Sequence, residues 1–174
     1  MREIAKASDV AVGTLFNYFP AKRALLFATL HDDLERTKTE CLANLPPKEA
    51  GLTGLFVHAA TTFYRHYATR PALSRTLLEK ALFASGDAGQ AFRDQVAEVA
   101  AALAHRVAEL QGDGRISPAL PIEPILLAFF SHYYFVLLME VSEAGEGAWD
   151  LERMERRIRL LSHQLLRGVG IEGA

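Results

Sequence analysis

The chain has 174 residues, half of them hydrophobic, a net charge of −2 and a single cysteine. That length and apolar content suit one domain, or a small domain fused to a larger one, with a sizeable core, and they argue against disorder. The charge excludes a nucleic-acid binder coated with cations over its whole surface, and the lone Cys41 excludes an intramolecular disulfide.

Apolar residues recur at helical spacing almost throughout, without strand-like alternation, so the chain is predicted to be all-α. A short helix is predicted over 2–8, a tight turn over 9–11, a second short helix over 12–18 and a long helix over 21–45. Pro46 and Pro47 end that long helix, since neither donates a helical hydrogen bond. The next helix, 52–69, carries Leu52, Leu55, Phe56, Ala59, Phe63 and Tyr67 on one stripe. Pro71 suits the first turn of a helix reaching about Ala84. After the turn at 85–87, a helix over 88–111 places Phe92, Val96, Val99, Leu103, Val107 and Leu110 on one face.

The segment 122–143 is apolar around nearly its whole circumference and is expected to be buried on both sides. Its apolar run is interrupted by Ser131 and His132 and falls short of the roughly 18 to 20 residues that a membrane span needs. No secretory leader is visible, so a cytoplasmic protein without membrane contact is expected. A last helix over 148–169 carries the stripe Leu151, Met154, Ile158, Leu161 and Leu165.

The chemistry concentrates at the start. Residues 1–30 hold Arg2, Lys6, Lys22 and Arg23 against Glu3 and Asp9, a local charge of +2 that leaves −4 on the remainder. A basic tip on an acidic body suits local contact with phosphate. Two short helices joined by a tight turn form a helix-turn-helix when the second can enter a major groove. Ile4 and Ala5 face the second helix, and Val10, Leu15 and Phe19 supply its packing side. Thr14, Asn17 and Tyr18 lie opposite, with groups able to bond phosphates or base edges.

The stretches REIAKAS, VGTLFNYF and PAKRALL resemble the TetR family of one-component transcriptional regulators. The likeness spans about 26 residues. It implies that Thr14, Asn17 and Tyr18 face DNA, and that Lys22 binds backbone phosphate. Three positions depart from the family pattern. Asp9 stands where the turn usually has glycine, Ala11 replaces a serine that caps the second helix, and Phe16 replaces a tyrosine that bonds phosphate. Family members also carry a whole helix before REIAKAS, so the chain is expected to be an amino-terminally shortened version. The resulting division is a partial reader over 1–28 and a helical ligand-binding and dimerisation domain over 29–174.

The resemblance further implies a ligand pocket and a homodimer interface in the helices that follow. Phe63, His66, Tyr67, Phe92, Phe129, His132 and Tyr133 are the pocket candidates, being aromatic or polar groups at apolar phases. A plain hydrophobic core accounts for the same pattern, and a bonded core histidine for His66 and His132. Leu151, Met154, Ile158, Leu161 and Leu165 are the candidates for the dimer interface. No zinc motif, phosphate-cradling glycine loop or nucleophile elbow occurs, so neither an enzyme nor a metal or other cofactor is expected. The implied function is a regulator, of repressor type, that binds double-stranded operator DNA as a homodimer and is released by a small, largely apolar effector. The alternative is a helical dimeric small-molecule-binding module that does not bind DNA.

Overall fold

Proline and glycine set most of the helix limits. The computed structural model describes residues 1–83, 85–145 and 147–169, and among these it contains eight α-helices and no strand. They are α1 (Arg2–Ala7), α2 (Val12–Tyr18), α3 (Lys22–Ala43), α4 (Gly51–Ala68), α5 (Pro71–Ala81), α6 (Gly86–Gly112), α7 (Ile122–Glu143) and α8 (Leu151–Val169). A 3-10 turn, Lys48–Ala50, follows the proline pair and leads into α4. Pro71 opens α5, where its missing N–H has no helical partner to lose. At the end of α6 the backbone turns left-handed at Gly114, φ +70°, so that Gly114 N–H reaches the Gln111 carbonyl at 3.0 Å and Arg115 N–H that of Leu110 at 2.9 Å.

Several boundaries differ from expectation by a few residues, among them the end of α3 at Ala43 rather than 45. α5 stops at Ala81, and the predicted terminus Ala84 lies outside the described residues. α6 begins at Gly86, ahead of the predicted 88. α8 begins at Leu151 rather than 148, because Asp150 is its N-cap: Asp150 Oδ1 accepts the Arg153 backbone N–H at 2.9 Å.

The core is built around α4. α8 packs along it, α7 lies beside α8, and α3 and α6 close the other flank. Leu55, Phe56, Ala59, Ala60 and Tyr64 are buried on α4. Phe56 stacks on Phe129 with centroids 4.4 Å apart, and Tyr64 stacks on Tyr133 at 5.2 Å. The Tyr64 hydroxyl, fully buried, donates to the Tyr133 carbonyl at 2.9 Å, so its polar atom is satisfied where water is absent.

α7 departs from the all-round burial expected of it. Ile125, Phe129, Tyr133, Val136 and Leu137 are buried against the bundle, while Leu127, Ser131, Phe135 and Leu138 form an exposed row on the opposite face. By length and composition this helix would also suffice to cross a bilayer, which the interrupted run at Ser131 and His132 had not suggested. Within the bundle it holds a buried carboxylate, Glu140, at its α8 end. Glu140 accepts the Asp150 backbone N–H at 2.7 Å, Arg153 Nη2 at 2.9 and 2.8 Å on its two oxygens, and Arg153 Nε at 3.1 Å. Arg157 pairs with Glu143 beside it at 3.0 Å, and the four side chains fix α8 against α7.

Candidate functional site

The turn between α1 and α2 fits the reader predicted from sequence. Asp9 adopts φ +52°, the left-handed conformation that glycine tolerates most easily and that Asp reaches among L residues. Ala11 sits at the N-cap of α2 and provides no side-chain bond to the free amides there. Ala5 is buried, and Ile4, Leu15 and Phe19 are half-buried. Val10, expected on the packing side, is instead 42% exposed. It follows the left-handed residue directly, and its N–H bonds back to the Ala5 carbonyl at 3.0 Å, which ties its backbone to α1 while the side chain faces out.

Thr14, Asn17, Tyr18 and Lys22 are all exposed, and Tyr18 is 76% exposed. α2 itself buries no residue. Its outer side is therefore free of any fold-holding contact and presents two hydroxyls and an amide. Lys22 is the first residue of α3. A cation there opposes the helix dipole, and an anion held alongside would be stabilised by both. α3 runs unbroken from Lys22 to Ala43, so the boundary expected at 28/29 falls inside one helix.

Between α3, α4, α6 and α7 lies a small, partly open cavity of about 50 Å³. Five of the seven pocket candidates line it: Phe63, Tyr67, Phe92, Phe129 and Tyr133. His66 and His132 do not. His66 packs edge-on against Tyr67 at 5.5 Å, and burial lowers its pKa. His132 is also shifted down by burial, and its Nδ1 has no hydrogen-bond partner among the described residues. Burial likewise pushes the Tyr67 and Tyr133 hydroxyls above the usual phenol range, so both are neutral donors at any physiological pH.

Eight other lining residues were not among the candidates, and two of them, Lys38 of α3 and Gln95 of α6, bring charge and an amide to the wall. Lys38 pairs with Glu35 at 2.8 Å and with Glu98. Gln95 Nε2 donates to the His31 carbonyl at 2.9 Å and to Glu35 at 2.7 Å. Burial draws the Lys38 pKa down, yet the bonds to Glu35 and Glu98 outweigh it and the net shift is upward. The same bonds from Lys38 and Gln95 hold the Glu35 carboxyl below its ordinary range. The signal lay in spacing: Lys38 falls four residues after Leu34 and three before Cys41, both buried on the inward stripe of α3.

The dimer candidates separate into two groups. Met154 and Ile158 are fully buried within their own chain, and Leu161 and Leu165 are half-buried against the same core. Leu151 is at the edge of exposure. Large apolar side chains are left open in the row Leu127, Phe135 and Leu138 on α7, and at Leu160 on α8.

Residues 1–29 match the family model described as bacterial regulatory proteins, tetR family. No curated protein and no solved structure matches the chain. The matched span ends just inside α3 and contains the left-handed turn, the exposed face of α2 and Lys22. The amino-terminal 29 residues thus carry the helix-turn-helix of the tetR family of bacterial regulatory proteins, on a scaffold that is all-helical among the described residues.

Proposed function

We infer that this transcriptional regulator is a cytoplasmic repressor that grips double-stranded operator DNA as a homodimer and lets go when a small, largely apolar molecule enters the cavity. Residues 1–28 read DNA, and residues 29–174 bind the effector and the second copy. The observation that carries the reading is the outer face of α2: Thr14, Asn17 and Tyr18 contribute nothing to the fold and are aimed at solvent. Exposed polar and aromatic groups on a helix-turn-helix are what base edges and phosphates require.

A two-fold dimer sets the two copies of α2 in successive major grooves of a pseudo-palindromic site. The exposed row on α7 supports its placement as the seam, since the α8 stripe is spent on the chain's own core. An effector acts only through different affinities for the DNA-competent and DNA-incompetent arrangements. The cavity touches α3, which also bears Lys22, so occupancy and DNA geometry share an element.

Selection from a random duplex library followed by mobility shift on the enriched sequence tests the reading. An enriched palindrome, bound by wild type and lost by the triple variant T14A/N17A/Y18A, is expected. A failure to enrich any sequence refutes it, and retention of small-molecule binding in that case supports the DNA-independent module instead.

A further inference from the structure

The cavity in its present form is too small for a ligand, since about 50 Å³ is far below the roughly 300 to 1,000 Å³ of small-molecule sites. A second space of about 300 Å³ adjoins it, a groove between α3 and α6 lined by Ala24, Phe27, Ala28, Leu30 and His31 on one side and Ala91 on the other. Phe92 and Gln95 line both spaces. The two residues therefore form a partition, and rotation of the half-buried Phe92 ring would join cavity and groove into one site of ligand size.

The walls also restrict charge. Lys38 is the one charged side chain lining the cavity among the described residues, which repels a cation. Its ammonium is already held by both Glu35 and Glu98, neither of which lines the cavity, so an incoming carboxylate would have to displace a glutamate. Burying an unpaired anion among aromatic rings costs far more than any contact there returns. What remains is hydrogen-bonding capacity. Lys38 Nζ meets both oxygens of Glu35, at 2.9 and 2.8 Å, and one of Glu98, so a ligand oxygen would take the N–H that doubles up on Glu35, and Gln95 uses its amide nitrogen on His31 and Glu35, leaving its carbonyl oxygen as an acceptor. Phe63, Tyr67, Phe129 and Tyr133 supply flat apolar surface.

Resting on the reading of the cavity as the effector site, we propose that its ligand is an uncharged, two-ring aromatic molecule bearing a hydroxyl or carbonyl group. The rings occupy the space opened by Phe92, and the oxygen meets Lys38 and Gln95.

Isothermal titration calorimetry of the whole chain with three probes of equal ring size tests this: 2-naphthol, 2-naphthoate and the (2-naphthylmethyl)trimethylammonium cation. The expected result is binding of 2-naphthol at least tenfold tighter than either ion. Lys38→Met should weaken 2-naphthol about three- to tenfold, the share of one hydrogen bond, and Lys38→Gln, which restores an N–H donor, should recover most of it. Phe92→Ala should tighten binding by removing the partition. Equal or tighter binding of either ion, or a Lys38→Met variant that folds normally and binds 2-naphthol like wild type, overturns the proposal and leaves the effector site standing. Absence of binding by all three probes to both wild type and Phe92→Ala removes the effector site and the proposal together.

Discussion

Replacing Lys22 with alanine separates a DNA contact from a folding contact. Lys22 is exposed at the first position of α3 and has no carboxylate partner among the described residues. In the proposed two-fold dimer its loss would remove the two phosphate contacts proposed for it. Each contact contributes about 0.9 to the slope of log K against log salt, so the slope should become shallower by about 1.8. Over the fourfold interval from about 50 to about 200 mM salt, the affinity deficit of the variant should then shrink roughly tenfold. Stability should move the other way. A cation at a helix N-terminus is unfavourable by about 0.3 to 1 kcal/mol at low ionic strength, so Lys22→Ala should melt at the same temperature as wild type or slightly above it. Mobility shift at four salt concentrations and a thermal melt supply both readouts. Parallel salt slopes, or a variant that melts several degrees lower, would show that Lys22 serves the fold and refute the reasoning.

Asp9→Gly should stabilise α1 and α2 by about 0.5 kcal/mol, because the relief of a left-handed L residue slightly exceeds the added entropy of the unfolded chain, and Asp9→Ala should destabilise them; amide hydrogen exchange resolves both. Ala11→Ser supplies the missing cap of α2 and should add about 0.5 to 2 kcal/mol in the same measurement. Phe135→Glu places two like charges across the proposed seam and should convert dimer to monomer in sedimentation with an unchanged circular dichroism spectrum, whereas Ile158→Glu, fully buried, should unfold the chain. Burial pushes the Cys41 thiol up to about 11. Its neutral form is favoured by folding, so that share of stability is intact below the unfolded thiol pKa and is lost as pH rises toward 11; iodoacetamide at pH 9 should label Cys41 quickly in urea and very slowly in the native chain.

Much of this was legible in the residues themselves. Helix limits followed Pro46, Pro71 and Gly112, whose backbone chemistry is local, and the reader was legible because its turn and exposed face lie within one short stretch. The aromatic pocket residues converge because inward stripes on neighbouring helices must meet across a core. Other features depend on pairing between distant segments. An apolar stripe reads alike whether it meets its own chain or a partner, so Met154 and Ile158 were indistinguishable from interface residues until α8 was seen against α4. The burial of Glu140 depends on a guanidinium partner that belongs to α8, thirteen residues along the chain. Lys38 and Gln95 come over the cavity only through the approach of α3 to α6.

The continuity of α3 sets a mechanical scale. At 1.5 Å per residue, roughly 24 Å of helix separates Lys38 from Lys22. A tilt of about 5° pivoting near Lys38 would sweep the tip by roughly 2 Å over that arm. In a two-fold pair the tips move oppositely, and the spacing between readers changes by roughly 4 Å, a sizeable error against the 34 Å or so between successive turns of the same groove. An unbroken rod would thus turn a tilt of a few degrees at its inner end into a mismatch of register at the outer one.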